Sequence, residues 1–167
     1  MTQVSLVDSS RLSILLRESL EWSENISSIM VSAQNGSILA YAFRDTTPSV
    51  KAMRTRSITV TTAYSVAAQE VLVFEAQRTG AMTVISSIAD RIVLAVTGPE
   101  PAGVDPYEKT VHESHNSELS DSGVHEQITD EEEAQLAQLR SELESVNYEL
   151  AGMLREELAG IKWPDDI

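Results

Sequence analysis

The chain has no cysteine, which excludes a disulfide framework, a thiolate metal site and a thiol nucleophile. Its three histidines fall in one C-terminal stretch at 112, 115 and 125, so the rest of the chain lacks the commonest general base near neutral pH. The glycines at 36, 80, 98, 103, 123, 152 and 160 are isolated, and there is no G-x-G-x-x-G, G-x-x-x-x-G-K or G-x-S-x-G pattern. No apolar run approaches the roughly 18 residues that a membrane-spanning helix needs. The first residues lack a basic n-region, and Thr2 stands where N-myristoylation requires glycine. The expected setting is therefore the cytosol or a cytosolic membrane face, with no direct membrane insertion and any membrane association made through partners.

Basic residues are also few, at 12 against 26 acidic ones, for a net charge of −14. They are unevenly placed. Residues 1–97 balance eight basic side chains (Arg11, Arg17, Arg44, Lys51, Arg54, Arg56, Arg78, Arg91) with eight acidic ones, whereas the remaining 70 residues hold four basic and eighteen acidic. An acidic surface of that kind repels phosphate backbones and anionic headgroups, which argues against a nucleic-acid partner.

What is present suits one globular domain with appendages: 167 residues, 42% of them hydrophobic. Over 8–22, Leu12, Leu15, Leu16 and Leu20 recur at helical spacing behind a Ser9 or Ser10 cap. Two apolar runs, 26–33 and 37–43, flank Asn35-Gly36 and predict a β-hairpin closed by a type I′ turn, which needs φ > 0 at both central residues. Thr47-Pro48 reads as N-cap and N1 of a helix over 48–67, with Met53, Ser57, Val60, Tyr64 and Ala67 on one face. Ile58, Val60, Thr62 and Tyr64 also alternate as a strand would, and the Pro cap and Ala-rich end decide for helix. Strands follow at 70–75, 81–88 and 91–97, with turns at 78–80 and 89–90, and spacing this close makes them antiparallel. The runs 71–74 and 92–96 are apolar on both faces, so both sides of the sheet should be covered.

Residues 98–128 carry Gly, Pro, Ser and acidic residues with few large apolar ones, and read as an acidic disordered linker. Within it, His112 and His115 form H-x-x-H beside Glu113 and Glu118, a zinc-compatible set that the linker gives no framework to hold, so no metal site is expected. A helix restarts at Thr129, where Thr129 and Glu132 form a capping box over an acidic first turn. Leu136, Leu139, Leu143, Val146, Leu150 and Met153 then follow a heptad, continued less strictly by Leu154, Leu158 and Ile161. A rod of roughly 45 Å exceeds a small core and should in part meet another protein. The expected units are a core over 1–97, the linker over 98–128 and a long amphipathic helix over 129–161.

No enzyme motif stands out, and neither a catalytic group nor a cofactor is expected. Lys51 and Arg54 share a helix face near Arg44 and Arg56, which reads first as a solvated surface and second as a docking patch for an acidic partner. The strand Val71, Leu72, Val73, Phe74 has no Pro or inward charge, and at a sheet edge it would need to be covered or paired.

The order α-β-β-α-β-β-β-α, with the 29–42 hairpin at its centre, resembles the roadblock/dynein light chain family over roughly residues 9–97. The hairpin is most similar to the roadblock subunits of the Ragulator (late endosomal/lysosomal adaptor) complex and its fungal EGO counterpart, although the acidic linker and long last helix depart from the compact animal subunits. The resemblance implies an α/β fold of the α+β kind, a five-stranded antiparallel sheet with helices on both faces. It implies pairing with a second roadblock subunit, most simply as a heterodimer, through Val71, Leu72, Val73 and Phe74 and the helix bearing Met53, Val60 and Tyr64. On the same basis Leu154, Leu158 and Ile161 would contact other complex subunits or a GTPase. The implied role is non-catalytic scaffolding of Rag-type small GTPases at the cytosolic face of the vacuole, lysosome or late endosome, supporting amino-acid signalling to TOR complex 1. Rivals are another roadblock role, as dynein light chain or small-GTPase regulator, and a PAS-like sensor, which would need a cavity with convergent polar groups.

Overall fold

A computed structural model describes residues 9–67, 70–75, 80–100, 129–159 and 161. Helix α1 (Ser9–Leu20) leads to strands β1 (Ser28–Ala33) and β2 (Ile38–Phe43), helix α2 (Val50–Ala67), strands β3 (Val71–Glu75), β4 (Met82–Ala89) and β5 (Ile92–Thr97), and helix α3 (Asp130–Leu158). The strands form one antiparallel five-stranded sheet in the order β2-β1-β5-β4-β3. This is the expected element order, with β2 and β3 at the edges.

The hairpin forms by a different turn from the one expected. Ala33 N–H donates to the Ser37 carbonyl (2.8 Å), Gly36 N–H to the Ala33 carbonyl (2.9 Å) and Ser37 N–H to Asn35 Oδ1 (2.9 Å). Gly36 takes φ +88° while Asn35 keeps a negative φ, which is a type I turn followed by a left-handed glycine. A bulge follows, since Val31 faces Ala40 but Ser32 faces Ile38. The β4–β5 turn falls on Asp90 and Arg91 instead of 89–90, with Arg91 at φ +57°.

Helix α2 is capped two residues later than predicted. Ser49 Oγ accepts from Ala52 N–H (3.2 Å), so Ser49 is the cap, and Thr47 and Pro48 lie outside the helix. The predicted capping box of α3 is present, with Thr129 Oγ1 accepting from Glu132 N–H and Thr129 N–H donating to Glu132 Oε2.

Both faces of the sheet are covered, unequally. Helices α1 and α3 pack Leu12, Leu16, Leu20, Leu143, Leu150 and Leu154 onto Ile29, Val31, Val84, Leu94 and Val96. Fully burying one such side chain is worth about 1.5–3 kcal/mol, so this layer dominates folding. The opposite face carries α2 alone, with Val60 against Ile85, Val93 and Ala95. There small residues bring helix and sheet close: buried Ser57 donates to the Gly36 carbonyl (2.9 Å) and lies 2.8 Å from Ser32 Oγ.

The stripe of α3 departs from the heptad. Its buried residues are Leu143, Val146, Asn147, Leu150, Ala151, Leu154 and Leu158, while Met153 is exposed. A straight helix lying on a sheet keeps 3.6 residues per turn, so a 3.5-residue seam drifts off the contact. The solvent-projecting end is the N-terminal one, where residues 130–138 are exposed.

Gly98 is buried, donates its N–H to the Met82 carbonyl (2.8 Å) and accepts from Ser27 Oγ (2.7 Å), so the folded unit extends past 97. The remainder of the linker, 101–128, including the H-x-x-H pair, and most of the 78–80 turn lie outside the described residues.

Candidate partner-binding surface

The edge strand β3 pairs with β4 alone in the sheet. Alternation divides its side chains: Leu72 and Phe74 join the α2 layer, and Val73 the α1/α3 layer. Val71 is 48% exposed, Leu72, Val73 and Phe74 are half-buried, and Glu75 at the strand's end is exposed. The four apolar residues expected at a partner surface therefore sit together on a sheet edge that carries neither Pro nor Lys.

The expected residues of α2 are distributed differently. Met53 and Val60 are buried, Val60 against the chain's own sheet, and Tyr64 is half-buried against the same cluster. An apolar helical stripe shows that the helix packs on something, and here the sheet of the same chain takes it. The outward face instead presents Thr55, Ile58, Thr59, Thr62 and Val66. Two of its hydroxyls are satisfied within the helix, Thr55 Oγ1 donating to the Lys51 carbonyl (3.0 Å) and Thr59 Oγ1 to the Thr55 carbonyl (2.9 Å). Such bonds direct polar atoms back to the backbone and let methyl groups face outward. Signals for Ile58 and Val66 exist in the sequence, as apolar residues off the main stripe.

Leu154 and Leu158 are likewise buried in the core, and Ile161 packs against it partly buried. Helix α3 turns this side toward the core that it shares with α1 and the sheet. Arg11 of α1 pairs with Glu157 (2.7 Å), further holding the helix end.

Charge on the α2 side is one-signed at the helix itself, which contains Lys51, Arg54 and Arg56 and no acidic residue. Arg56 is engaged locally: it donates to Ser28 Oγ (3.1 Å), approaches Glu100 (4.0 Å) and stands over the Phe43 ring (5.7 Å to the centroid). Arg44 is structural, donating to the carbonyls of Ile26 (2.8 Å), Ser23 (2.7 Å) and Leu20 at the end of α1.

On the other face, an open groove of about 530 Å³ runs between α3 and the β3 edge, lined by Val71, Ser86, Asn147, Tyr148, Ala151 and Arg155 among others. Tyr148 is 77% exposed, whereas Ser86 is buried and its Oγ has no hydrogen-bond partner. Asn147, a buried polar residue that the apolar stripe does not single out, donates from Nδ2 to the Val84 carbonyl (3.1 Å). At the helix's other side, Glu142 accepts from the Ser23 hydroxyl and from Asn25 Nδ2 (2.8 Å). The Ser23 hydroxyl, and after it the Asn25 amide, hold the Glu142 carboxyl below its ordinary value. Among the described residues there is no group of three or more His, Asp or Glu that could hold a metal ion, and no helix is long and apolar enough to cross a membrane.

No family model matches the sequence, and no curated protein matches it. Solved structures do. The chain is similar to a roadblock/LC7 domain from Streptomyces avermitilis (12% identity over 52% of this chain and 76% of that one, TM-score 0.44). It is also similar to MglB in a tetrameric arrangement (12% identity, 90% and 98%, TM-score 0.48). A third is the gliding protein MglB from Thermus thermophilus (12% identity, 89% and 98%, TM-score 0.46).

Proposed function

We propose that this chain is a non-catalytic scaffold subunit that pairs with a second roadblock-type subunit through the β3 edge and the outward face of α2, and that the pair presents a docking surface for small GTPases. The observation that carries the reading is the β3 edge, where Val71, Leu72, Val73 and Phe74 lie side by side with no partner strand beyond them among the described residues. An apolar edge of this kind pairs with another chain unless something blocks it. The face of α2 beside it, carrying Ile58 and Val66, extends the surface.

The hairpin's resemblance to the roadblock subunits of Ragulator and EGO complexes supports a finer reading. The GTPases are of the Rag type, other subunits of the complex complete the assembly, and the pair acts at the cytosolic face of the vacuole, lysosome or late endosome in amino-acid signalling to TOR complex 1. Membrane association then comes through partners.

Two measurements test the proposal. Val73→Lys places an ammonium group in the paired edge, and desolvating it should weaken association by several kcal/mol; sedimentation velocity should show a loss of dimer relative to the unaltered chain. Purified Rag-type GTPase heterodimer should be retained by the assembled subunits on gel filtration. An unchanged sedimentation coefficient for Val73→Lys would sink the edge assignment, and no retention would sink the Rag assignment while leaving the pairing.

A further inference from the structure

Helices α2 and α3 begin with opposite charge. Val50, Lys51, Arg54 and Arg56 fall in the opening turns of α2, whose first turn holds no acid, whereas α3 opens with Asp130, Glu131, Glu132 and Glu133. Carboxylates suit the positive end of a helix dipole and cations do not, so α3 follows that preference and α2 breaks it. Arg56 is answered by Ser28, Glu100 and the Phe43 ring. Lys51 and Arg54 are exposed and have no ionic partner among the described residues. A local rule broken with no local return marks a surface that serves another contact. On α3, Glu132 closes the capping box, while Asp130, Glu131 and Glu133 likewise have no ionic partner among the described residues. Each start also exposes one aliphatic side chain, Val50 at 60% and Leu136 at 43%.

Both starts lie at the same end of the sheet, on opposite faces. Ser28, Phe43 and Thr97 mark that end, with Ser28 facing each of the other two. Arg56 reaches Ser28 and Phe43 from the α2 face. On the other face Leu139 and Leu143 stand over Gly98, just past Thr97, and the exposed residues 130–138 continue beyond it as a rod of about 13 Å. With the sheet between them, the two starts of one chain cannot meet. A two-fold axis lying in the plane of the sheet, across the strands at this end, turns a second copy over, so that the α3 face of each copy continues into the α2 face of the other. Each acidic start then overlies the basic start of the other copy. An axis normal to the sheet would instead bring the two acidic starts to one side, where they repel.

We infer that a second copy of this chain docks end to end on this one, the α3 start of each lying on the α2 start of the other. Asp130, Glu131 and Glu133 meet Lys51 and Arg54, and Leu136 meets Val50. The contact occurs twice and closes on itself, so both charged starts of both copies are used. Tyr64, near the far end of α2, packs with Leu72 and Phe74 of β3, so the docked end is the one remote from the β3 edge. The edge and the later turns of α2 bearing Ile58 and Val66 stay free, and the contact neither uses nor requires the pairing proposed above.

Opposite charge reversals read the contact directly. In the full-length chain, Lys51→Glu with Arg54→Glu sets acid against acid, and Glu131→Lys with Glu133→Lys sets base against base; all four positions are exposed. Each variant should self-associate about ten-fold more weakly than the unaltered chain in sedimentation equilibrium. An equimolar mixture of the two should recover most of that loss, because each contact then joins an acidic start to a basic one. General repulsion cannot imitate this pattern, since the lysine variant is less negative than the unaltered chain and on net charge alone would associate more tightly. Variants that associate like the unaltered chain, or a mixture no better than either component, overturn the inference. The edge is read separately by Val73→Lys. Association that falls with Val73→Lys and not with the charge reversals keeps the β3 pairing and overturns this contact, and the converse keeps this contact and overturns the edge.

Discussion

Asn147 of α3 reaches into the sheet and donates its side-chain amide to the backbone carbonyl of Val84 at 3.1 Å. This is the one buried side-chain amide at the α3–sheet contact among the described residues, flanked along the helix by Val146, Leu150 and Ala151. An apolar stripe alone would let α3 slide or rotate by a fraction of a turn, whereas a buried amide with one acceptor fixes where the helix sits. Asn147→Ala should cost about 1–3 kcal/mol, as the Val84 carbonyl loses a partner and a small gap opens. A urea unfolding midpoint equal to that of the unaltered chain would show that the bond contributes nothing net.

Helix α3 carries a second local test. Gly152 lies in its interior, and a Cβ placed there meets nothing within 4 Å. Gly152→Ala should therefore stabilise the protein by about 1 kcal/mol, the usual helix-interior difference between the two residues. Ending the chain after Gly152 should do the reverse and unfold it, because Leu154 and Leu158 fill the core between α1 and the sheet. A truncated chain that keeps a cooperative thermal transition near that of the full chain would contradict this placement.

Legibility in the sequence follows the range of the interaction. The hairpin, the element order and the Thr129 capping box are set by neighbours within a few residues, and all are present. The start of α2 is ambiguous in the sequence because Ser49, Thr47 and Pro48 all offer helix-start chemistry, and only the hydrogen bond to Ala52 discriminates. The candidate contacts Met53, Val60, Leu154 and Leu158 are apolar at the right spacing, but periodicity identifies a face that packs without saying what it packs on. For Val60, Leu154 and Leu158 the chain's own core is the answer. The groove is illegible for the same reason: Val71, Ser86, Asn147 and Arg155 are far apart in sequence and converge only once β3, β4 and α3 are in place.

Glu142 gives a pH-dependent prediction. Its carboxylate is held by the Ser23 hydroxyl and the Asn25 amide, which lowers its folded-state pKa from the ordinary value of 4.5. A depressed carboxylate pKa contributes stability that is fully present above the unfolded-state value and is lost as pH falls through the folded-state one. The difference in unfolding midpoint between the unaltered chain and Glu142→Gln should therefore be largest near neutral pH and shrink toward zero in acid. A difference that stays constant across that range would show that the hydrogen bonds do not depend on the charge.

Gly36 links the hairpin to the helix above it. Its φ of +88° suits glycine, and a Cβ built on it would stand 3.2 Å from Ile58 Cγ1 on α2. Its carbonyl also accepts from Ser57 Oγ, so the turn cannot move aside without losing the contact that seats α2 on the sheet. Gly36→Ala should then cost about 1–2 kcal/mol from the left-handed backbone alone, with the crowding of Ile58 added to it. Pairing Gly36→Ala with Ile58→Ala separates the two parts: the second substitution removes the close contact and should recover only the steric share. A single variant as stable as the unaltered chain would mean that the turn relaxes freely, and that α2 is held to the sheet by Val60 and its neighbours without help from the hairpin.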